Sequence, residues 1–415
     1  MTVLLDPRQS VHIARQAILD ADRRVCAYEL LYRANEHDRA CTTVGDLAAA
    51  RVLTDALLGI GLESLTGGAP AFLNFTRSLL LADAARLLPP EAVVIELRED
   101  IPVDAEVIDA CRTLKEQGYT LALDDFVAGS GAEALLPYAS FVKLDVLETP
   151  AAVWQPLARR LASPSVRVIA ERIETLDVAA QAREAGCQLF QGFYFSRPAT
   201  RSAKALPAKR LAYLNMFSAL NKPDLTINEL EDLVKRDVSL TMRVLRSINS
   251  AAYALRYEIT SLRHALQLLG MQQVRTWASV WAMAGLNGSG PTEVMSIALL
   301  RGRSCETIGH AWSGAEAGGA LFLVGMCSML DAILDQPIEQ AIAPLKLTAG
   351  VRDTLLGGTS AMRAILDAVI AHEQGDWDKS TQIMRRLGLP ASLLPAAYTD
   401  ALRWAREVTT GAAAA

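Results

Sequence analysis

Long apolar runs are missing from this 415-residue chain. Its most apolar stretch, Ala317–Leu330, lies between Glu316 and Asp331 and is too short to span a bilayer, so it reads as a buried helix. The N-terminal MTVLLDPRQS lacks a basic region followed by an apolar core and does not read as a signal peptide. Positive charge is not in excess either. Lys and Arg number 41 against 46 Asp and Glu, a net charge of −5, which gives no electrostatic case for a nucleic-acid polymer or an anionic membrane. A small anion held by local cations or a metal stays compatible with that balance. Cysteine is scarce: none of the six forms a C-x-x-C pair, so no disulfide framework is expected. Buried free thiols fit a reducing, cytoplasmic setting. No His–Asp pair occurs in the second half, where His264, His310 and His372 each precede another residue type. The single His–Asp dipeptide, His37–Asp38, lies far upstream in what reads as a loop.

What is present is a series of acid-tipped strands. VVIEL (Val93–Leu97), LALDDF (Leu121–Phe126), FVKLD (Phe141–Asp145) and VIAERIET (Val168–Thr175) are apolar runs whose last residues turn polar. Further strand patterns fall at Val11–Leu19, Val25–Leu31, Ala71–Phe75 and Leu189–Phe195. Helical spacing lies between most of them, at Val44–Leu58, Arg77–Leu87, Ala105–Gln117, Ala151–Leu161 and Leu176–Glu184. Gly118 and Gly186 stand where helix ends need them. The short polar turn Asp20–Arg24 favours an antiparallel hairpin at the start, followed by βα alternation. The expected fold is α/β plus all-α: a TIM-like (β/α) barrel with one antiparallel strand over residues 1–200, then a helical domain over 201–415. The basic, proline-bearing stretch RPATRSAKALPAKR (197–210) reads as the linker.

Chemistry-bearing residues sit at the strand ends in order. Glu29 lies in YELLYR, Asn74 in FLNF, Glu96 and Glu99 in IELRE, and Asp124 and Asp125 close LALDD. Lys143 and Asp145 alternate in VKLD and so share a face. Glu171 and Glu174 lie in AERIET, and Gln191 opens QGFYF. In a parallel barrel, strand C-termini converge on one mouth. One acid there is an ordinary cap or surface residue; a ring of them repels itself without a cation. Hard oxygen donors without His or Cys suit Mg²⁺ or Mn²⁺ and not zinc. Two such ions clamp an in-line attack on phosphorus, and a lysine beside them neutralises developing charge. The pattern points to a metal-dependent phosphodiester site.

YELLYR, FLNF, IELRED, LALDDF, VKLD, AERIET and QGFYFSRP, in that order, resemble the EAL domain of bacterial cyclic-di-GMP phosphodiesterases over about residues 8–200. That resemblance implies hydrolysis of cyclic di-GMP to linear pGpG with Mg²⁺ or Mn²⁺. It makes Glu29, Asn74, Glu96 and Asp124 the first metal shell and Asp125 the holder of a second ion. Glu171 would orient or deprotonate the attacking water with Lys143 beside it. Glu99 would brace the loop after Asp125, and Glu174 and Gln191 would support the metal and water network. Arg33 would contact a ligand phosphate, Gln16 would lie near guanine or sugar, and Asp145 would contribute to substrate binding.

Three departures stand out. The signature tripeptide reads Glu29–Leu30–Leu31, a mild apolar change. Val127 and Arg172 occupy positions where the family pattern has glycine, and the loop Thr and Tyr-Ser pair are missing. Arg172 either points outward on the pleat or pairs with a site acid and competes with metal. The ligands survive while the loop does not, so the expectation is retained binding with slow or conditional turnover.

Leu233–Trp277 is similar to the HDOD domain, a helical output module, and the similarity extends more weakly into AHEQGDW. Asp224, Thr226 and Ser261 are its candidate helix caps. The two halves together resemble the EAL–HDOD family of bacterial signalling proteins, in which the second half would regulate the first or meet a protein partner. A homodimer through the barrel is also implied, and the altered loop argues against it. The alternative reading is a catalytically inactive cyclic-di-GMP receptor acting through the HDOD surface.

Overall fold

A computed structural model describes residues 12–33, 61–192, 208–222, 224–235, 261–287 and 292–413. The chain divides into two compact units: Met1–Arg197 with Ala368–Thr399, and Pro198–Asp367 with Asp400–Ala415. The first is a closed eight-stranded barrel in sequence order. Its strands are β1 (His12–Leu19), β2 (Val25–Arg33), β3 (Ala71–Phe75), β4 (Val93–Leu97), β5 (Thr120–Leu123), β6 (Phe141–Asp145), β7 (Arg167–Glu171) and β8 (Leu189–Gln191). β1 pairs antiparallel with both β2 and β8, and every other neighbouring pair is parallel. The expected hairpin, barrel and single reversed strand are all there. The expected helix Val44–Leu58 and the end of the strand expected to Phe195 lie outside the described residues, as does the basic linker up to Pro207.

The barrel floor explains how the site is built. Ile18, Ala27, Phe72, Val94, Ala122, Ile169 and Leu189 form one buried apolar layer, with Phe141 packed against it. Side chains two residues apart on a strand share a face. Two residues further toward the mouth stand Gln16, Glu29, Asn74, Glu96, Asp124, Glu171, Gln191 and Lys143. An apolar layer that excludes water thus carries a polar layer directly above it.

The helices around the barrel start on side-chain caps. Thr76, Asp104 and Thr175 accept the amides of Leu79, Val107 and Val178. The helix expected over Arg77–Leu87 is two pieces, Arg77–Leu81 and the 3₁₀ turn Ala84–Leu87, because Asp83 adopts a left-handed conformation at φ 55. In the helical unit, Thr226 and Glu229 form a reciprocal capping box, and Ser261 accepts the amide of His264. The long helices Leu262–Asn287 and Thr292–Cys327 are each broken, at Gly270 and at Ser313–Gly314. Among the described residues no helix is long and apolar enough to cross a membrane. Cys26, Cys111, Cys187, Cys305 and Cys327 are free thiols, and burial pushes Cys111, Cys187 and Cys327 up to about 12.

The segment Ala368–Thr399 groups with the barrel rather than with the rest of the helices, a departure from one contiguous domain over 201–415. His372, fully buried, reaches the Ile13 carbonyl of β1 through Nε2 at 3.0 Å. Its ring packs against Trp377 and Tyr398, with centroids 4.7 and 4.9 Å away. Burial, helped by neighbouring His12, pushes the His372 imidazole down to about 3. An unfolded histidine titrates near 6.5, so between these values the unfolded segment binds a proton that the folded one refuses. Stability contributed here falls as pH drops through that window, by roughly 2–3 kcal/mol at about pH 4.5. Amide exchange in Ala368–Thr399, corrected for its intrinsic pH dependence, is expected to accelerate on acidification. His372→Gln is expected to flatten that response; an unchanged pH dependence in the variant contradicts the assignment.

Candidate active site

Lys143 stands at the centre of the polar layer, 1% exposed. Its Nζ lies 3.1 Å from Glu29 Oε2, 3.2 Å from Asp124 Oδ1 and 2.6 Å from Glu171 Oε1, and it also contacts Glu96 Oε1. Burial works against the ammonium, but Glu171, Glu29, Glu96 and Asp124 together hold it well above the usual lysine value. Amides fix the acids from the side. Asn74 Nδ2 donates to Glu29 Oε1 at 2.9 Å; Gln191 Nε2 donates to Glu29 Oε2 at 2.6 Å and to Gln16 Oε1 at 3.2 Å. Gly192 follows Gln191 at φ 142, and a β-carbon there would stand 2.2 Å from the Ile173 carbonyl oxygen. Only glycine lets the ends of β7 and β8 close on each other at that point.

Four carboxylates face one ammonium. Burial first, and the Glu29 charge second, push Glu96 well above the usual carboxylate range. Burial and the neighbouring Asp124 and Glu29 charges do the same to Glu171, against the pull of Lys143. Asp124 goes the other way: burial opposes its charge, yet Lys143 and a hydrogen bond with Glu96 bring it below its ordinary value. The set is short of positive charge, and burial disfavours the charge on Glu96 and Glu171.

The donor set fits a divalent cation. Ligand oxygens of Glu29, Glu96 and Glu171 lie within 4.8 Å of one another, and so do those of Glu99, Asp124 and Asp125. All are hard carboxylate oxygens, and Glu96 Oε2 and Asp125 Oδ1 are buried without a hydrogen-bond partner. Burial and the Asp124 charge raise Asp125 to about 6.

Other expected residues fall in different places. Asp145 is buried, accepts the amides of Leu147 and Glu148 at 2.7 and 2.9 Å, and pairs with Arg172. Glu174 is exposed on the loop after β7. Arg33 ends β2, and its side chain lies outside the described residues. Val127 is 59% exposed and is not at positive φ; the left-handed positions of its loop are Asp125, Gly129 and Gly131. The loop therefore accepts valine without strain at that residue. Glu133 braces the loop, accepting the amides of Gly129 and, at 3.1 Å, Gly131. Sequence reasoning gave the bracing to Glu99 and missed Glu133 and Glu148. Neither lies on an apolar strand, so neither carried a periodic signal.

Known proteins resemble both halves of the chain. Residues 35–198 match the EAL domain model and residues 206–330 the HDOD domain model. The chain is similar to the uncharacterized protein YuxH of Bacillus subtilis (strain 168), 31% identical over 406 residues, covering 96% of this chain and 98% of that one. It is also similar to the cyclic di-GMP phosphodiesterase CdgJ of Vibrio cholerae serotype O1, 31% identical over 407 residues, covering 97% and 94%. Among solved structures, the Klebsiella pneumoniae BlrP1 calcium/cy-diGMP complex at pH 8.0 is 26% identical, with a TM-score of 0.38 over 48% of this chain and 58% of that one.

Proposed function

Because the chain belongs to the EAL–HDOD family, we propose that its barrel mouth binds cyclic di-GMP and hydrolyses it, slowly or conditionally, to linear pGpG. The HDOD half would serve as regulatory or output module. The observation that carries this reading is the ring of Glu29, Glu96, Asp124 and Glu171 closed around Lys143, with Asn74 and Gln191 fixing Glu29. CdgJ, similar over nearly its whole length, is a cyclic di-GMP phosphodiesterase.

Glu29, Asn74, Glu96 and Asp124 would hold a first Mg²⁺ or Mn²⁺, beside which Glu171 lies close to Glu29 and Glu96, and Asp125, with Asp124 and Glu99, would hold a second. A bound divalent cation supplies Lewis acidity to the phosphodiester and acidifies water beside it. The chain's own residues do the rest. Glu171, pushed up by burial and by its acidic neighbours, is a stronger base than a surface carboxylate and accepts the proton of the attacking water. Lys143 donates hydrogen bonds to the phosphoryl oxygens as their charge grows. Gln191 and Asn74 hold Glu29 in one orientation. Gln16 and Arg33 would meet the nucleotide, with Asp145 shaping the wall beside them and Glu174 supporting from the following loop.

A second reading, a receptor without turnover, is favoured by the Arg172 pairs at Asp125 and Asp145. One experiment separates the two. Cyclic di-GMP binding is measured with Ca²⁺, and pGpG formation with Mg²⁺ or Mn²⁺. Binding with product supports the enzyme, binding without product supports the receptor, and no binding contradicts both. A cytoplasmic setting is supported by the free buried thiols. A protein partner through the HDOD half and a homodimer through the barrel belong to the same proposal.

A further inference from the structure

Arg172 begins where β7 ends. Strand alternation would turn it away from the mouth, because Glu171 points in. The backbone breaks that alternation: Arg172 is left-handed at φ 54 and swings its side chain across the end of β6. Its Nη1 lies 3.0 Å from Asp145 Oδ2 and 3.0 Å from Glu148 Oε1, and its Nη2 lies 3.8 Å from Asp125 Oδ2. Asp125 is itself left-handed, at φ 39. Such conformations persist in non-glycine residues only when the surroundings hold them. The carboxylates of Asp145 at the end of β6 and of Glu148 and Asp125 on the loops hold this one.

The guanidinium therefore stands beside Asp125 Oδ2, a carboxylate of the Glu99–Asp124–Asp125 group, while Asp125 Oδ1 is buried without a hydrogen-bond partner. No such side-chain cation other than Lys143 contacts the Glu29–Glu96–Glu171 group among the described residues. We infer that Arg172 is a resident counter-charge that weakens divalent-cation binding at Glu99–Asp124–Asp125 more than at the Glu29–Glu96–Glu171 group, with which it forms no ion pair. The second ion enters only against a fixed positive charge, so the site is complete only at high cation concentration. This rests on the metal-dependent reading above and supplies a physical basis for conditional turnover. Asp145 keeps the arginine in place, because releasing it would leave a carboxylate that is 9% exposed without its charge partner.

The test is Mn²⁺ binding to the full-length protein without nucleotide, read from the electron paramagnetic resonance signal of free Mn²⁺. Wild type is compared with Arg172→Gly and Arg172→Lys. Glycine takes a left-handed backbone without strain, so the first variant is expected to fold, and a thermal unfolding curve checks this. All three proteins are expected to bind a first Mn²⁺ with affinities within about twofold of each other. The second Mn²⁺ is expected to bind about tenfold or more tightly in Arg172→Gly than in wild type, with Arg172→Lys close to wild type. Equal second-ion affinity in wild type and Arg172→Gly overturns the inference while leaving the metal site standing. A lysine variant that matches the glycine variant overturns it too, because charge would then not be the cause. Absence of Mn²⁺ binding in every protein overturns the metal-dependent reading itself.

Discussion

Lys143→Met is expected to destabilise the barrel unit by about 3–5 kcal/mol when no divalent cation is supplied. Four carboxylates touch the Lys143 ammonium, and three of them are less than a tenth exposed. Methionine fills the same volume but leaves those acids facing one another across an apolar floor. They must then take up protons or separate, and either response weakens the packed mouth. Because the chain has two units, the quantity to follow is the unfolding of the barrel, by amide exchange in β2, β4, β6 and β7. Mn²⁺ is expected to restore much of the lost protection in the variant, since it replaces the missing positive charge. Turnover should not return with it: loss of the lysine is expected to lower kcat by about 10²–10³-fold, the usual effect of removing one preorganised donor to a developing oxyanion. An unaltered exchange pattern without cation would show that the ring of ion pairs does not hold the mouth together.

Glu171→Gln is expected to remove turnover by about 10³-fold or more while changing cyclic di-GMP affinity in Ca²⁺ by only a few-fold. Glutamine keeps the shape of the side chain beside Lys143 but cannot accept a proton. Glu171 is 7% exposed and its charge is disfavoured by burial and by Asp124 and Glu29, so a proton taken from water is held more firmly than on a surface glutamate. The split between lost kcat and kept binding is the informative part. A parallel loss of both would make Glu171 a binding group and move the base elsewhere in the ring.

Much of this site is legible in the sequence because strand period and barrel closure do the positioning. Val94 to Glu96, Ala122 to Asp124 and Ile169 to Glu171 are the same step on three strands, and a buried apolar residue two before an acid marks each one. The reversed β1 follows the same rule backwards, from Ile18 to Gln16. Legibility ends where periodicity ends. Arg172 leaves the strand through a left-handed residue, so alternation gives the wrong face, and of the two readings open in the sequence the structure has the pairing, with Asp125 and Asp145. Glu133 acts from the short 3₁₀ helix Ala132–Leu135 and Glu148 from a turn, where no repeat points to them. His372 meets Ile13 across 359 residues of sequence, a contact that no local pattern encodes, and so the grouping of Ala368–Thr399 with the barrel could not be read in advance.

The most direct test of the central claim is product formation by the purified protein. Cyclic di-GMP is incubated with wild type in Mn²⁺, in Mn²⁺ plus excess chelator, and with Glu29→Gln in Mn²⁺, and linear pGpG is quantified by chromatography. The account predicts pGpG from wild type in Mn²⁺ alone, with the chelated sample and the variant at background. Product that survives chelation or the loss of Glu29 would contradict a metal-dependent site built on this ring of acids.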